Sequence, residues 1–152
     1  FIEGLRALDP TAMQGMDDQD LIALLGTAIQ PYGLKVDNIG DAFTAWLMVN
    51  HSLVHGYDED PTPAQVDGTR KLAIQGLMGV PEIMTASDAD KQSMAEGLLL
   101  QTLLNQVMVD SIKEVSPENL PTVVDQIRTG TRDMGLDLDQ LEMTPNGLVA
   151  KQ

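Results

Sequence analysis

Apolar residues recur along this chain with the spacing of amphipathic helices, and prolines fall where those stretches start or stop. After Asp17-Asp18, which can cap a helix, Leu21, Leu25 and Ala28 share a stripe beside Ile22 and Ile29, and Pro31-Tyr32-Gly33 ends it. Asn38 caps a second helix running to about His55 and closed by Gly56; Asp41 sits in its first turn, where the helix dipole favours a carboxylate. Thr62-Pro63-Ala64-Gln65 has capping-box register for a third helix reaching about Met78 and broken by Gly79-Val80-Pro81. Ser87, with Asp88 and Asp90 behind it, opens the longest helix. Ser116-Pro117-Glu118 repeats the start signal before the stripe Leu120, Val123, Val124, Ile127 and Met134. Asp9-Pro10 predicts a further short turn through Met13, and Leu136, Leu138 and Leu141 are candidate docking residues in the tail.

The longest helix differs from the others. On a helical wheel, Leu98, Val109, Met94 and Ile112 occupy one side, and Leu99, Leu100, Leu103, Leu104, Val107 and Met108 cover most of the rest. A helix apolar nearly all round is one surrounded by protein. No period-two run flanked by a hairpin turn competes, and no repeat is visible. The expected fold is therefore all-α: a single domain, residues 1–152, built as a bundle of five or six helices around a central buried helix at about 88–114.

Composition narrows the function classes. At 152 residues with 43% hydrophobic content, the chain can bury a sizeable core. Five aromatic residues leave that core to aliphatic side chains and nine Met. No apolar run is long enough to span a bilayer as a helix. A formal charge of −14 opposes phosphate backbones, so nucleic acid is not an expected partner and a protein with a cationic surface is a better one. With no Cys, disulfides, thiolate metal sites and cysteine nucleophiles drop out. The chain opens at Phe1 without a basic, apolar leader, which is compatible with a mature form from which a signal peptide has been removed.

Residues that could carry chemistry are few, and no catalytic set and no cofactor are expected from them. His51 and His55 sit four apart on one helix, the spacing that offers two ligands to zinc, with Asp58, Glu59 or Asp60 as a possible third. The Glu that follows the first His in zinc proteases is replaced by Ser52, and the favoured reading is two surface histidines on a polar side shared with Thr44 and Met48. Asn50 lies within the apolar face beside Trp46. It predicts either a polar anchor in a ligand pocket, formed by Trp46 and Asn50 with Gln101 and Asn105, or an internal bond to Gln101, Thr102, Asn105 or Gln106 that fixes helix register. The internal bond is favoured. Glu96 and Asp110 share a helix face but are about 21 Å apart, too far to act as a dyad; Glu96 alone leaves a remote hydrolase reading. The acidic clusters at residues 17–20, 58–60 and 137–139 lack the EF-hand pattern and fit caps and solvated loops.

Two stretches, Val36-Asp37-Asn38-Ile39-Gly40-Asp41-Ala42-Phe43 leading to Trp46 and Gln92-Ser93-Met94-Ala95-Glu96-Gly97-Leu98 followed by Gln101, resemble recurring elements of an uncharacterised bacterial all-helical family. The tail Gly135-Leu136-Asp137-Leu138, leading to Leu141, Thr144 and Gly147, resembles its closing segment. That family usually stands behind a signal peptide, so the resemblance implies an all-α fold and a periplasmic or secreted location; the residues themselves leave a cytoplasmic one open. The leading expectation is a non-enzymatic domain of the cell envelope that binds another protein through an acidic or Met-lined surface. The alternative is a helical bundle that binds a small molecule or lipid in a pocket near Trp46 and Asn50.

Overall fold

The computed structural model describes residues 4, 11 and 13–152, so the turn expected at Asp9-Pro10 lies outside the described residues. Six α-helices follow one another among them: α1 (Asp18–Ile29), α2 (Ile39–His55), α3 (Pro63–Met78), the short α4 (Pro81–Thr85), α5 (Asp88–Val115) and α6 (Leu120–Asp133). A hairpin, β1 (Leu141–Thr144) and β2 (Gly147–Ala150), closes the chain. The all-α, single-domain expectation holds.

The helix starts follow from local chemistry. Asp17, Asn38, Thr62 and Ser87 each accept a hydrogen bond from a backbone N–H of the first turn, satisfying donors that have no partner inside the helix. Thr62 and Gln65 complete the capping box. Gly33 and Gly56 end their segments at φ 72° and 70°, a left-handed conformation costly for any residue with a Cβ. At Ser116-Pro117 the start is displaced: a 3-10 turn covers Pro117–Asn119, and α6 begins at Leu120 with no side-chain cap.

The centre of the bundle is α2, which corrects the expectation that residues 88–114 form a buried pillar. Fourteen of the 17 residues of α2 are buried. On α5 only Ala95, Leu99, Thr102, Leu103, Gln106 and Val109 are, while Leu104 is 67% and Val115 79% exposed. The reason lies in the polar residues of α2, which satisfy themselves locally. Thr44 Oγ1 donates to Gly40 O at 2.6 Å and Asn50 Nδ2 to Trp46 O at 2.8 Å, so both can be enclosed at little cost. At the start of α2, buried Asp41 faces the Arg70 guanidinium of α3 and accepts from Lys35 N.

The hairpin is a second correction, because no strand was expected. Its register pairs Leu141 with Ala150 and Thr144 with Gly147, around Pro145-Asn146. Asn146-Gly147 is a turn signal, and Gly147 has φ 108°. Leu148 N donates to Thr69 Oγ1 and Gln65 Nε2 to Thr144 O, docking the hairpin on α3. The approach is close enough that a Cβ at Gly68 would lie 1.6 Å from Asn146 O. Leu138 and Leu141 are buried, as candidate docking residues should be, and Leu136 is half-buried.

Candidate functional site

Two rungs of hydrogen bonds join α2 to α5. Trp46 Nε1 donates to Gln101 Oε1 at 2.8 Å, and Asn105 Nδ2 donates to Asn50 Oδ1 at 2.7 Å. Each pair of residues is four apart on its own helix, so each rung follows the last by one turn. Both rungs span the same sequence separation, 55 residues, so the two helices run in the same direction here. The four residues singled out as a possible ligand anchor thus form one ladder, and Asn50 spends its amide on Trp46 O and Asn105. Trp46 and Asn50 are fully enclosed.

Beside the upper rung lies an apolar cleft of about 640 Å³. Phe43, stacked on Trp46 with ring centroids 5.6 Å apart, forms part of its wall. Leu72 and Leu77 of α3, Ile83 of α4, Leu98 of α5 and Leu136 from the tail add to it. Among the described residues lining it, only Gln101 carries a polar side chain. Its Oε1 is taken by Trp46, which leaves its amide donors for whatever occupies the cleft. At Gly97 a Cβ would meet nothing within 4 Å, so glycine there opens the wall. The rim and its surroundings are rich in exposed methionine: Met94 and Met134 line the cleft, and Met78 and Met84 follow the lining residues Leu77 and Ile83.

The histidines are not the surface pair expected. His51 is 1% exposed, with Thr44 and Met48 equally enclosed; around His51, the turn at Leu138–Gln140 and Leu141 pack on the side of α2 assigned to solvent. His51 Nε2 donates to Leu141 O at 3.2 Å, which fixes the neutral tautomer; Nδ1 has no partner among the described residues. Burial lowers its pKa from 6.5 to about 4, against an opposing effect of the Leu141 carbonyl, and His55 adds to the lowering. His55 is half-buried and reaches toward Leu138 O and Asp139, at 3.4 and 3.7 Å. The rings lie 4.4 Å apart, but no group of three or more His, Cys, Asp or Glu is placed to hold a metal among the described residues. Glu96 accepts from Gln92 Nε2, one turn earlier on the same helix.

Residues 5–151, almost the entire chain, match one family. The chain belongs to DUF6683, a family of unknown function. That agrees with the resemblance to an uncharacterised family read from the sequence. Neither the curated proteins nor the solved structures gave a match. In this DUF6683 member, each of the three stretches that carry the resemblance contributes to the cleft: Ile39 and Phe43 from the first, Met94, Gly97, Leu98 and Gln101 from the second, Gly135, Leu136 and Leu141 from the third. Sequence reasoning found Trp46 and Gln101 but missed the cleft itself, whose walls come from five separate segments.

Proposed function

We propose that this protein is a non-catalytic binding module whose working site is the apolar cleft beside Trp46, and that its ligand is a small neutral molecule, mainly apolar, with one hydrogen-bond acceptor. One observation carries the reading. An open cleft of about 640 Å³, within the range of small-molecule sites, is lined by apolar side chains and a single amide that still has donors to give. Methionine at the rim adapts its shape to varied apolar ligands. The absence of charge in the lining and the chain's −14 argue for a neutral ligand over an anionic one. Glu96, tied to its own helix through Gln92, supplies no reason to invoke hydrolysis.

The test uses the chain's single tryptophan, whose indole N–H is bonded to a lining residue. Titration with Nile red, a neutral dye with a ring carbonyl, should give saturable dye emission and a concurrent change in Trp46 fluorescence. Gly97→Phe, which fills the open wall, should abolish both while the far-UV spectrum stays unchanged. Dye binding that survives Gly97→Phe would remove the cleft as the site.

A protein partner is the second reading, and the exposed Met78, Met84, Met94 and Met134 favour it, together with the acidic surface. It takes a partner with a cationic rim, in the cell envelope as the family resemblance implies. No helix among the described residues is long and apolar enough to cross a membrane. Crosslinking that recovers no partner at low salt would count against it.

A further inference from the structure

We propose that His51 is an acid-sensitive latch on the tail: neutral, it holds the segment that completes one wall of the apolar cleft, and protonated, it favours release of that segment. The latch stands on contacts of its own, whereas its effect on a ligand rests on the cleft reading given above.

One short stretch of backbone serves both ends. Gly135, Leu136 and Leu141 line the cleft. The same stretch is fastened to α2 by imidazoles: His51 Nε2 donates to Leu141 O at 3.2 Å, and His55 Nε2 reaches Leu138 O at 3.4 Å. Arg128 and Arg132 of α6 grip the intervening Asp137 and Asp139. The two rungs that join α2 to α5 use Trp46, Asn50, Gln101 and Asn105, none of which titrates. Acid therefore acts on the contact with the tail and leaves the ladder alone.

An imidazolium at His51 could keep its bond to Leu141 O, but it would carry a second N–H on Nδ1, which has no partner among the described residues. Its surroundings add to the cost. The rings of His55 and Tyr57 lie 4.4 and 5.7 Å away, centroid to centroid, and His55 and Lys151 both disfavour a positive charge there. Asp139 favours one, yet its carboxylate is already shared between Arg128 and Arg132. A charged ring thus needs water, and the turn at Leu138–Gln140 with Leu141 is the cover that can yield it. Burial, opposed by the Leu141 carbonyl, lowers the pKa from 6.5 to about 4. With 6.5 for the released form, the opening equilibrium of the tail rises about 25-fold between pH 7.5 and pH 5. A ligand that needs the tail wall favours the latched form, so ligand and proton oppose each other.

Amide exchange of the full chain, read residue by residue by NMR at pH 7.5 and pH 5, tests this. The Gln140 amide bonds within the turn and the Leu148 amide bonds to Thr69 of α3. Both should lose protection about 25-fold on acidification, and both should stay less protected than the amides of Leu99 and Leu103 in α5. His51→Gln should remove most of that loss, and His55→Gln, at a half-buried position, should keep it. The wild-type comparison and His55→Gln need no substitution at the enclosed ring. Nile red at ten times its dissociation constant should restore tail protection about tenfold at pH 5. Equal protection in tail and α5 would mean that the molecule opens only as a whole, which overturns the latch. Tail protection that ignores pH overturns it too, as does a loss that His55→Gln abolishes. Bound dye that leaves tail exchange unchanged breaks the link to the cleft. If the dye does not bind at all, the cleft reading fails, and exchange without dye still decides the latch.

Discussion

Acid should destabilise this protein through one residue, His51. Enclosed by the hairpin approach and donating its Nε2–H to Leu141 O, it has a folded pKa of about 4 against an ordinary 6.5, mainly because burial disfavours the imidazolium. Between those two values the unfolded chain binds a proton that the folded chain refuses, so stability must fall as pH falls. The contribution is complete above pH 6.5 and gone once pH reaches the folded value of about 4. The full separation corresponds to about 3 kcal/mol, of which about 2 kcal/mol is lost between roughly pH 7.5 and pH 5, above the range where most carboxylates protonate. Urea unfolding at those two pH values measures it directly. His51→Gln cannot titrate there, so the wild type should lose about 2 kcal/mol more than the variant over the same interval. With two histidines in the chain, the imidazole resonances can be assigned and their midpoints read by NMR. A His51 midpoint at or above 6.5, or parallel pH dependence in the two proteins, would refute the reasoning.

Two further outcomes follow from the packing. Asn105→Leu strips the partner from Asn50 Oδ1 in an enclosed site and should cost about 1–3 kcal/mol in urea unfolding, and the Asn50→Leu/Asn105→Leu double variant should cost less than the sum of the singles. Additive costs would mean that the rung carries no coupling. Leu103→Ala should cost about 2–5 kcal/mol, whereas Leu104→Ala, at a position 67% exposed, should stay within about 0.5 kcal/mol. Similar costs at both positions would restore a fully enclosed α5.

The errors made from the sequence share one cause. His51 and His55, with Thr44 and Met48, made one side of α2 look solvated, and the run from Leu98 to Ile112 made α5 look enclosed. Both judgements count residue types on a wheel. Burial depends instead on whether a polar group finds a partner and whether an apolar one finds a neighbour, and a partner can lie far along the chain, as Leu141 does from His51. The hairpin had a legible signal in Asn146-Gly147, but four-residue strands have no room to display alternation.

What the sequence determined by itself was local: where helices begin and end, because capping, proline and left-handed glycine act over three or four residues. It also determined charge and the lack of thiol chemistry, which need no geometry. Only the tertiary structure decided which helix is central, that α2 and α5 run in the same direction, and that Phe43, Gln101 and Leu136 face one cleft. Those are relations between segments tens of residues apart, set by how the pieces pack and by which distant group satisfies each buried donor or acceptor.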